Sequence, residues 1–369
     1  MIDYSVVKEE SVFGRYVTCE TLKKEWLKKI SNFNLQDIGE SVNGETVFAI
    51  TAGSGEKRVL MWSQMHGNES TTTKAVADLV NFLNSDDSLT TAILESCTLL
   101  IVPILNPDGA KNYTRVNAND IDLNRDAKQL TQPESKILRK LFEEFRPNFC
   151  FNLHDQRTLF SVGQTDKPAT VSFLSPASDE NRELTPTRET AMKLIVSMNQ
   201  KLQTLIPNQV GRYDDGFNDN CVGDSFQMAG VPTILFEAGH YPDDYERERT
   251  REFIFHALVE SLRVITQNQI EDFRTEDYFE IPENQKLFYD ILIRNPQILN
   301  PKLNPQRNIG IRFKEVLKDN SILFQPEVAD IGLLKDSYGH KLYDCSKQED
   351  FKFLSTQKEI LQQVNNIKE

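Results

Sequence analysis

Residues 58–83 read RVLMWSQMHGNESTTTKAVADLVNFL, and this stretch sets the class of the fold. Its first seven residues, RVLMWSQ, are mostly apolar and suit a strand covered on both faces. From Glu69 onward, ESTTTKAVADLVNFL spaces its apolar residues as a helix does. A strand that passes within a few residues into a helix is the building unit of α/β folds. Gly67 and Asn68 suffice for the turn between the two. His66 and Glu69, three apart in the same turn, need a further reason. Residues three apart lie on one side of a forming helix, so both can face one metal ion. Alone, such a pair is more often structural, and its meaning rests on the rest of the chain.

The same alternation continues in both directions. ETVFAI, CTLLIVPIL, NFCFNLH and VPTILFE read as strands; PESKILRKLFEEF, PTRETAMKLIVSMNQKLQTLI and DDYERERTREFIFHALVESLRVI read as helices. The first of these helices carries proline in its first turn, and the last begins with acids, where the helix dipole favours them. ETLKKEWLKKI, near the start, reads as a helix that packs on the sheet edge. Nearly all-apolar strands alternating with helices imply a central sheet covered on both faces. After about residue 270 the pattern changes to short alternating runs (LFYDILI, NIGIRFKEVL, SILFQPEVADIGLL, HKLYDCS) separated by turn residues. The expected organisation is therefore a first domain over 1–270 and a small, mostly β C-terminal domain over 271–369.

Composition narrows the function classes. The 369 residues are 39% hydrophobic and 26% charged, with net charge −13 and pI near 5.0. A strongly acidic chain without a Lys/Arg-rich run argues against nucleic acid and against an anionic membrane surface, both of which reward a basic patch. No apolar run of about 18 residues is present, and MIDYSVVKEESVFGRY lacks the apolar core of a secretory signal. Five scattered cysteines without a C-x-x-C pair give neither a zinc ribbon nor a dithiol redox site. A reduced, cytoplasmic setting is the expectation.

In open α/β sheets, functional residues gather just beyond the carboxyl ends of strands. Polar residues stand out at four of them: His66 and Glu69, then NPDG with the following RVNANDIDLNRD, then His154, then Glu237. Catalytic zinc takes three ligands of the His/carboxylate type and keeps one position open. His66, Glu69 and His154 make such a set, and Glu237 is the spare carboxylate able to take a proton from water.

MHGNE, ILNPDG, RVNANDIDLNR, QPES, FNLHD and TILFEAG, in this order over roughly residues 40–265, resemble the zinc carboxypeptidase family. The resemblance implies a three-layer α/β/α sandwich around a mixed, largely parallel eight-stranded sheet. It also implies one Zn²⁺ ion held by His66, Glu69 and His154, with Asp122 orienting the first histidine. Asn124 and Arg125 resemble the pair that grips a substrate's terminal carboxylate, for which a guanidinium fork is the suitable group. Arg115 resembles the arginine that polarises the scissile carbonyl, and Glu237 the general base and acid. The implied substrate is a peptide with a free C-terminal carboxylate.

Three features depart from or extend that pattern. Tyr213, twenty-four positions before Glu237, resembles the family's mobile tyrosine, with Tyr241 and Tyr245 as alternatives. Glu237 is followed by Ala238, Gly239 and His240, which is similar to the deacylase branch of the superfamily and keeps N-acyl amino acids or cell-wall peptides open as substrates. His240 is placed to tune Glu237 or to be structural, whereas His256 and His340 read as structural. Asp214, Asp215 and Asp219 either shape a pocket for a basic terminal residue or are solvated loop acids.

Overall fold

The computed structural model describes residues 2–367 and divides the chain into two compact units. The larger takes residues 1–156 and 169–284, and the smaller takes 157–168 and 285–369. The stretch 271–284 thus goes with the larger unit: Tyr278 is fully buried there and its hydroxyl accepts from Ser175 N at 3.2 Å.

Eight strands form the larger unit's sheet: β1 (Asn34–Glu40), β2 (Thr46–Gly53), β3 (Lys57–Ser63), β4 (Cys97–Val102), β5 (Phe149–Asp155), β6 (Val171–Leu174), β7 (Val210–Arg212) and β8 (Thr233–Ala238). They lie in the order β1-β2-β4-β3-β5-β8-β6-β7. Pairing is parallel from β4 through β3 and β5 to β8 and again between β6 and β7, and antiparallel elsewhere. The α/β class and the mixed eight-stranded sheet expected from the sequence are present.

Side chains alternate across each strand, so each face has its own core. Val59, Met61, Phe151, Leu153, Ile234 and Phe236 meet the helices Thr71–Leu83, Pro186–Gln203 and Glu248–Thr266. Leu60, Trp62 and Cys150 face the other way, against Leu138, Val222 and Phe226 of the helices Pro133–Phe145 and Val222–Met228. Burial on both faces accounts for the near-continuous apolar runs that make these strands legible.

Several elements differ from the reading of the sequence. ETLKKEWLKKI begins as a helix at Cys19–Thr21 but widens into a π-helical turn over Leu22–Trp26. β1 is mostly exposed and polar, and β6 and β7 have four and three residues, so none carries a readable apolar alternation. In the smaller unit, β9 (Phe288–Arg294), β10 (Asn308–Lys318), β11 (Ser321–Gly332) and β12 (Tyr338–Asp344) form a sheet in the order β11-β10-β9-β12. Two helices, Gln348–Thr356 and Lys358–Asn366, set Leu354, Ile360 and Val364 against Ile291, Ile293, Ile309 and Ile311. The reading of 271–369 as mostly β leaves these two nine-residue helices out, although Ile360 and Val364, four apart, lie on one buried face of the second. Among the described residues, no helix is long and apolar enough to cross a membrane.

Candidate metal centre

Strand register brings the first two groups together. His154 of β5 pairs directly with Glu237 of β8, and their chain neighbours Leu153 and Phe236 point into the opposite core. The two polar side chains therefore share the face that also carries Cys150 and Trp62.

The turn after β3 delivers the other two. Gln64 takes a left-handed backbone, φ 50°, which bends the chain sharply out of the strand. Gly67 then passes so close to the helix Pro107–Asn112 that a Cβ on it would stand 1.9 Å from the Gly109 carbonyl carbon. Only glycine fits there. Asn106, the first residue of NPDG, donates from Nδ2 to Met65 O at 3.1 Å and accepts from Gly109 N at 2.8 Å. NPDG thus shapes the turn from behind.

His66 Nδ1 lies 2.9 Å from Glu69 Oε1 and 3.1 Å from His154 Nδ1, and His154 Nδ1 lies 2.8 Å from Glu69 Oε2. On its far side, His66 Nε2 donates to Asp122 Oδ1 at 2.9 Å. That bond puts the ring's one proton on Nε2 and leaves a lone pair on Nδ1. Two imidazole nitrogens and a carboxylate then point at a single locus, all within 4.8 Å of one another. Acceptors facing acceptors at such distances call for a cation among them, and this donor set suits zinc. His66, Glu69 and His154 are almost wholly buried.

Charge settles unevenly over these groups. When protons rather than a metal ion fill this locus, burial still works against ionising Glu69, yet His66 and His154 outweigh it and hold its carboxyl well below the usual range. Burial likewise opposes a charge on Asp122, but His66 and Arg115 keep it ionised. Burial pushes Glu237 well above the ordinary carboxyl value, and the neighbouring charges of Glu69 and Asp155 add to the effect. Its Oε2 is buried without a hydrogen-bond partner among the described residues. A cation at the triad would offset the repulsion from Glu69.

Of the remaining predicted residues, Arg115 contacts the cluster directly, and Asn124 N donates to Asp122 Oδ1 at 2.9 Å. Arg115 donates from Nη1 to Glu69 Oε1 at 3.3 Å and from Nε to Asp122 Oδ2 at 3.1 Å, with about half its side chain (49%) exposed. Asn124 Oδ1 accepts from Val222 N at 3.1 Å, so its Nδ2 is the group left to donate. Arg125 is exposed and donates to Asn124 O at 2.8 Å. Their loop is stiffened from inside: Asn117 donates to Gln132 Oε1 and the buried Glu134, while Asp126 accepts from Thr131 N and Gln132 N. Burial and the charges of Glu237 and Glu69 raise the Tyr213 phenol above its ordinary value, so its hydroxyl shares their field.

Other candidates fall elsewhere. Asp215 pairs with Arg182 and Arg188, and Asp219 with Lys128, so these acids are already matched by cations. His240 is buried with its ring 4.7 Å from that of Tyr245. His256 packs beside Tyr4 and Phe255, and His340 donates to Thr158 O and stacks on Phe288. Two residues near the triad escaped sequence reasoning. Arg247 is buried and ties β8 to β5, donating to Ala238 O at 2.5 Å and Gln156 O at 2.9 Å. Asp155 follows His154 directly, and its carboxylate accepts from Thr71 N at 3.0 Å.

A fold with His, Glu and His converging at the carboxyl ends of parallel strands defines a class of metallohydrolase scaffold. The chain belongs to the zinc carboxypeptidase family, whose model matches residues 22–231. It is 29% identical over 115 residues to the probable carboxypeptidase 2 of Arthroderma benhamiae, covering 31% of this chain and 21% of that protein. Against carboxypeptidase SOL1 of Arabidopsis thaliana the identity is 30% over 162 residues, covering 38% of this chain and 33% of that protein. The chain thus matches a third or less of each relative's length. The fold is similar to a metallo-carboxypeptidase from Burkholderia cenocepacia (TM-score 0.54, 18% identity, 67% of each chain). It is also similar to carboxypeptidase A from Helicoverpa armigera (TM-score 0.54, 16% identity, 69% of this chain and 74% of that one).

Proposed function

We propose that the larger unit is a zinc-dependent carboxypeptidase that hydrolyses the C-terminal peptide bond of peptides with a free carboxylate. The observation that carries this reading is the convergence of His66 Nδ1, Glu69 and His154 Nδ1 beside the unpartnered Glu237 Oε2. One zinc ion held by the three ligands would supply a Lewis acid and lower the pKa of water to about 7.

Glu237 takes the proton from the attacking water at its free Oε2 and returns it to the leaving amine. A carboxyl whose pKa is lifted by burial holds a proton long enough to deliver it. Asp122 keeps the His66 ring in the tautomer that presents Nδ1. Arg115 lies beside the triad with half its guanidinium side chain open to solvent, and it meets the negative charge that develops on the scissile oxygen. Arg125 and the Nδ2 of Asn124 bind the substrate's terminal carboxylate, the first through a two-pronged ion pair. Tyr213 covers the terminal residue from the side of Glu237.

The test compares zinc-loaded and metal-stripped protein on peptides with free and with amidated C-termini, and on N-acyl amino acids. Zinc-dependent release of the terminal residue from free-carboxylate peptides is expected. Cleavage confined to N-acyl amino acids would transfer the same machinery to deacylation, and no zinc-dependent hydrolysis at all would end the proposal.

A further inference from the structure

We propose that Asp155 is a positioning residue that clamps the metal-binding turn onto β5, and that the strap over residues 12–17, ahead of the family-matched residues, backs the same turn. The proposal rests on the zinc reading above and concerns how tightly this chain holds the ion.

Asp155 grips the metal-binding turn at Glu69 and at the start of the helix beyond it. Its backbone N–H donates to Glu69 Oε2 at 3.2 Å. Its carboxylate accepts from Thr71 N at 3.0 Å and Thr72 N at 3.3 Å, the first two residues of the helix that Glu69 precedes. The residue before it in the chain is His154. One residue therefore fixes the distance between two ligands that are 85 positions apart in sequence. The helix has no cap of its own to fall back on. Ser70 stands at its N-cap but makes no capping bond. Its hydroxyl instead donates to Arg15 O at 2.6 Å.

Arg15, whose carbonyl takes the Ser70 bond, is 5% exposed and sits in a segment pinned at several points. Arg251 Nη1 donates to Val12 O at 2.6 Å, Gly14 N to Glu248 Oε1 at 3.2 Å, and Gln64 Nε2 to Val17 O at 2.8 Å. The same Gln64 Nε2 donates to Gly67 O inside the metal-binding turn, and Gln64 Oε1 accepts from Thr73. The strap over residues 12–17 is thereby fastened to the turn and to its helix. It ends before residue 22, where the match to the family begins.

The experiment measures zinc affinity of the full chain, metal-stripped and titrated in competition with a chromophoric chelator, alongside thermal melting of the apo protein. Asp155→Asn keeps the shape but loses the charge and one acceptor. Its zinc Kd is expected to rise about 10–100-fold, as for other groups that hold ligands in place, while the apo protein still melts cooperatively. Ser70→Ala, which cuts the bond to Arg15 O, should raise Kd at least about threefold. Combined with Asp155→Asn it should add less than its single effect, because coupled residues are not additive. A lowered melting temperature with unchanged zinc Kd in Asp155→Asn would make the residue merely structural and overturn the proposal; full additivity would remove the strap from it. Should Asp155→Asn fail to fold, Asp155→Ser, which keeps one acceptor, decides alone: an unchanged Kd overturns the proposal and a rise of about threefold or more supports it. Failure of the wild-type chain to bind zinc would strike the function reading instead.

Discussion

Two buried polar clusters sit in the larger unit, and they differ in how their charges balance. In the first, Arg251 donates from Nε and Nη2 to both oxygens of Asp78 at 2.7 and 2.5 Å, with neither side chain exposed. Glu248 is bonded to Arg251 and to Lys74, and Tyr4 donates to Asp78. Cations and anions there meet one for one. In the second, Glu69, Glu237, His66 and His154 crowd acceptors together, and Arg115 stays on its rim. The closed cluster holds helices together. The open one is suited to hold a cation, because a surplus of buried acceptors favours one.

That contrast can be broken in four places. The largest effect is expected from Glu237→Gln, which keeps the shape and removes the base. Turnover should fall by about 10⁴-fold, the upper end for a general base, while elemental analysis still finds one zinc per chain. Arg251→Met attacks the balanced cluster instead. It should destabilise folding by about 3–5 kcal/mol, read from denaturant melts, because Asp78 is left buried and uncompensated. Zinc stoichiometry of the folded fraction should be unchanged.

Smaller still is the stability gained on adding zinc at 100 times its Kd, about 2.7 kcal/mol by mass action. His66→Ala should abolish that gain, whereas Arg251→Met should keep it. The least effect concerns pH. Burial lowers the His256 pKa to about 4 from an ordinary 6.5. Its folded-state value is depressed, so between pH 6.5 and 4 the unfolded chain binds the extra proton and stability falls as pH falls. The loss should be about 2 kcal/mol by pH 5, and His256→Gln should flatten that part of the stability–pH curve.

The two clusters were also unequally legible in the sequence. His66, His154 and Glu237 stood out because each interrupts or ends an apolar strand, where a polar side chain has no packing reason to be. Asp155 has the same strand-end position but hides behind His154. Its partners, Thr71 and Thr72, lie more than eighty positions away. The Arg251–Asp78 pair was invisible for that reason too, since an arginine in an amphipathic helix reads as surface. The strands with two buried faces were plain, while the exposed β1 and the three-residue β7 were not. The acids Asp215 and Asp219 carried no sign that Arg188 and Lys128 would claim them.

The smaller unit has a property that matters to anyone who would trim the protein. Its first piece, residues 157–168, is inserted between His154 and β6, and only the rest comes after residue 284. Within the unit, Leu159 O accepts from Phe288 N, Thr158 O accepts from His340, and Thr158 Oγ1 donates to Asp290. Cutting the chain after Asn284 would strip those partners from a loop that begins three residues beyond His154. A fragment that keeps the larger unit alone therefore needs two edits, one at the C-terminus and one that replaces 157–168 with a short linker.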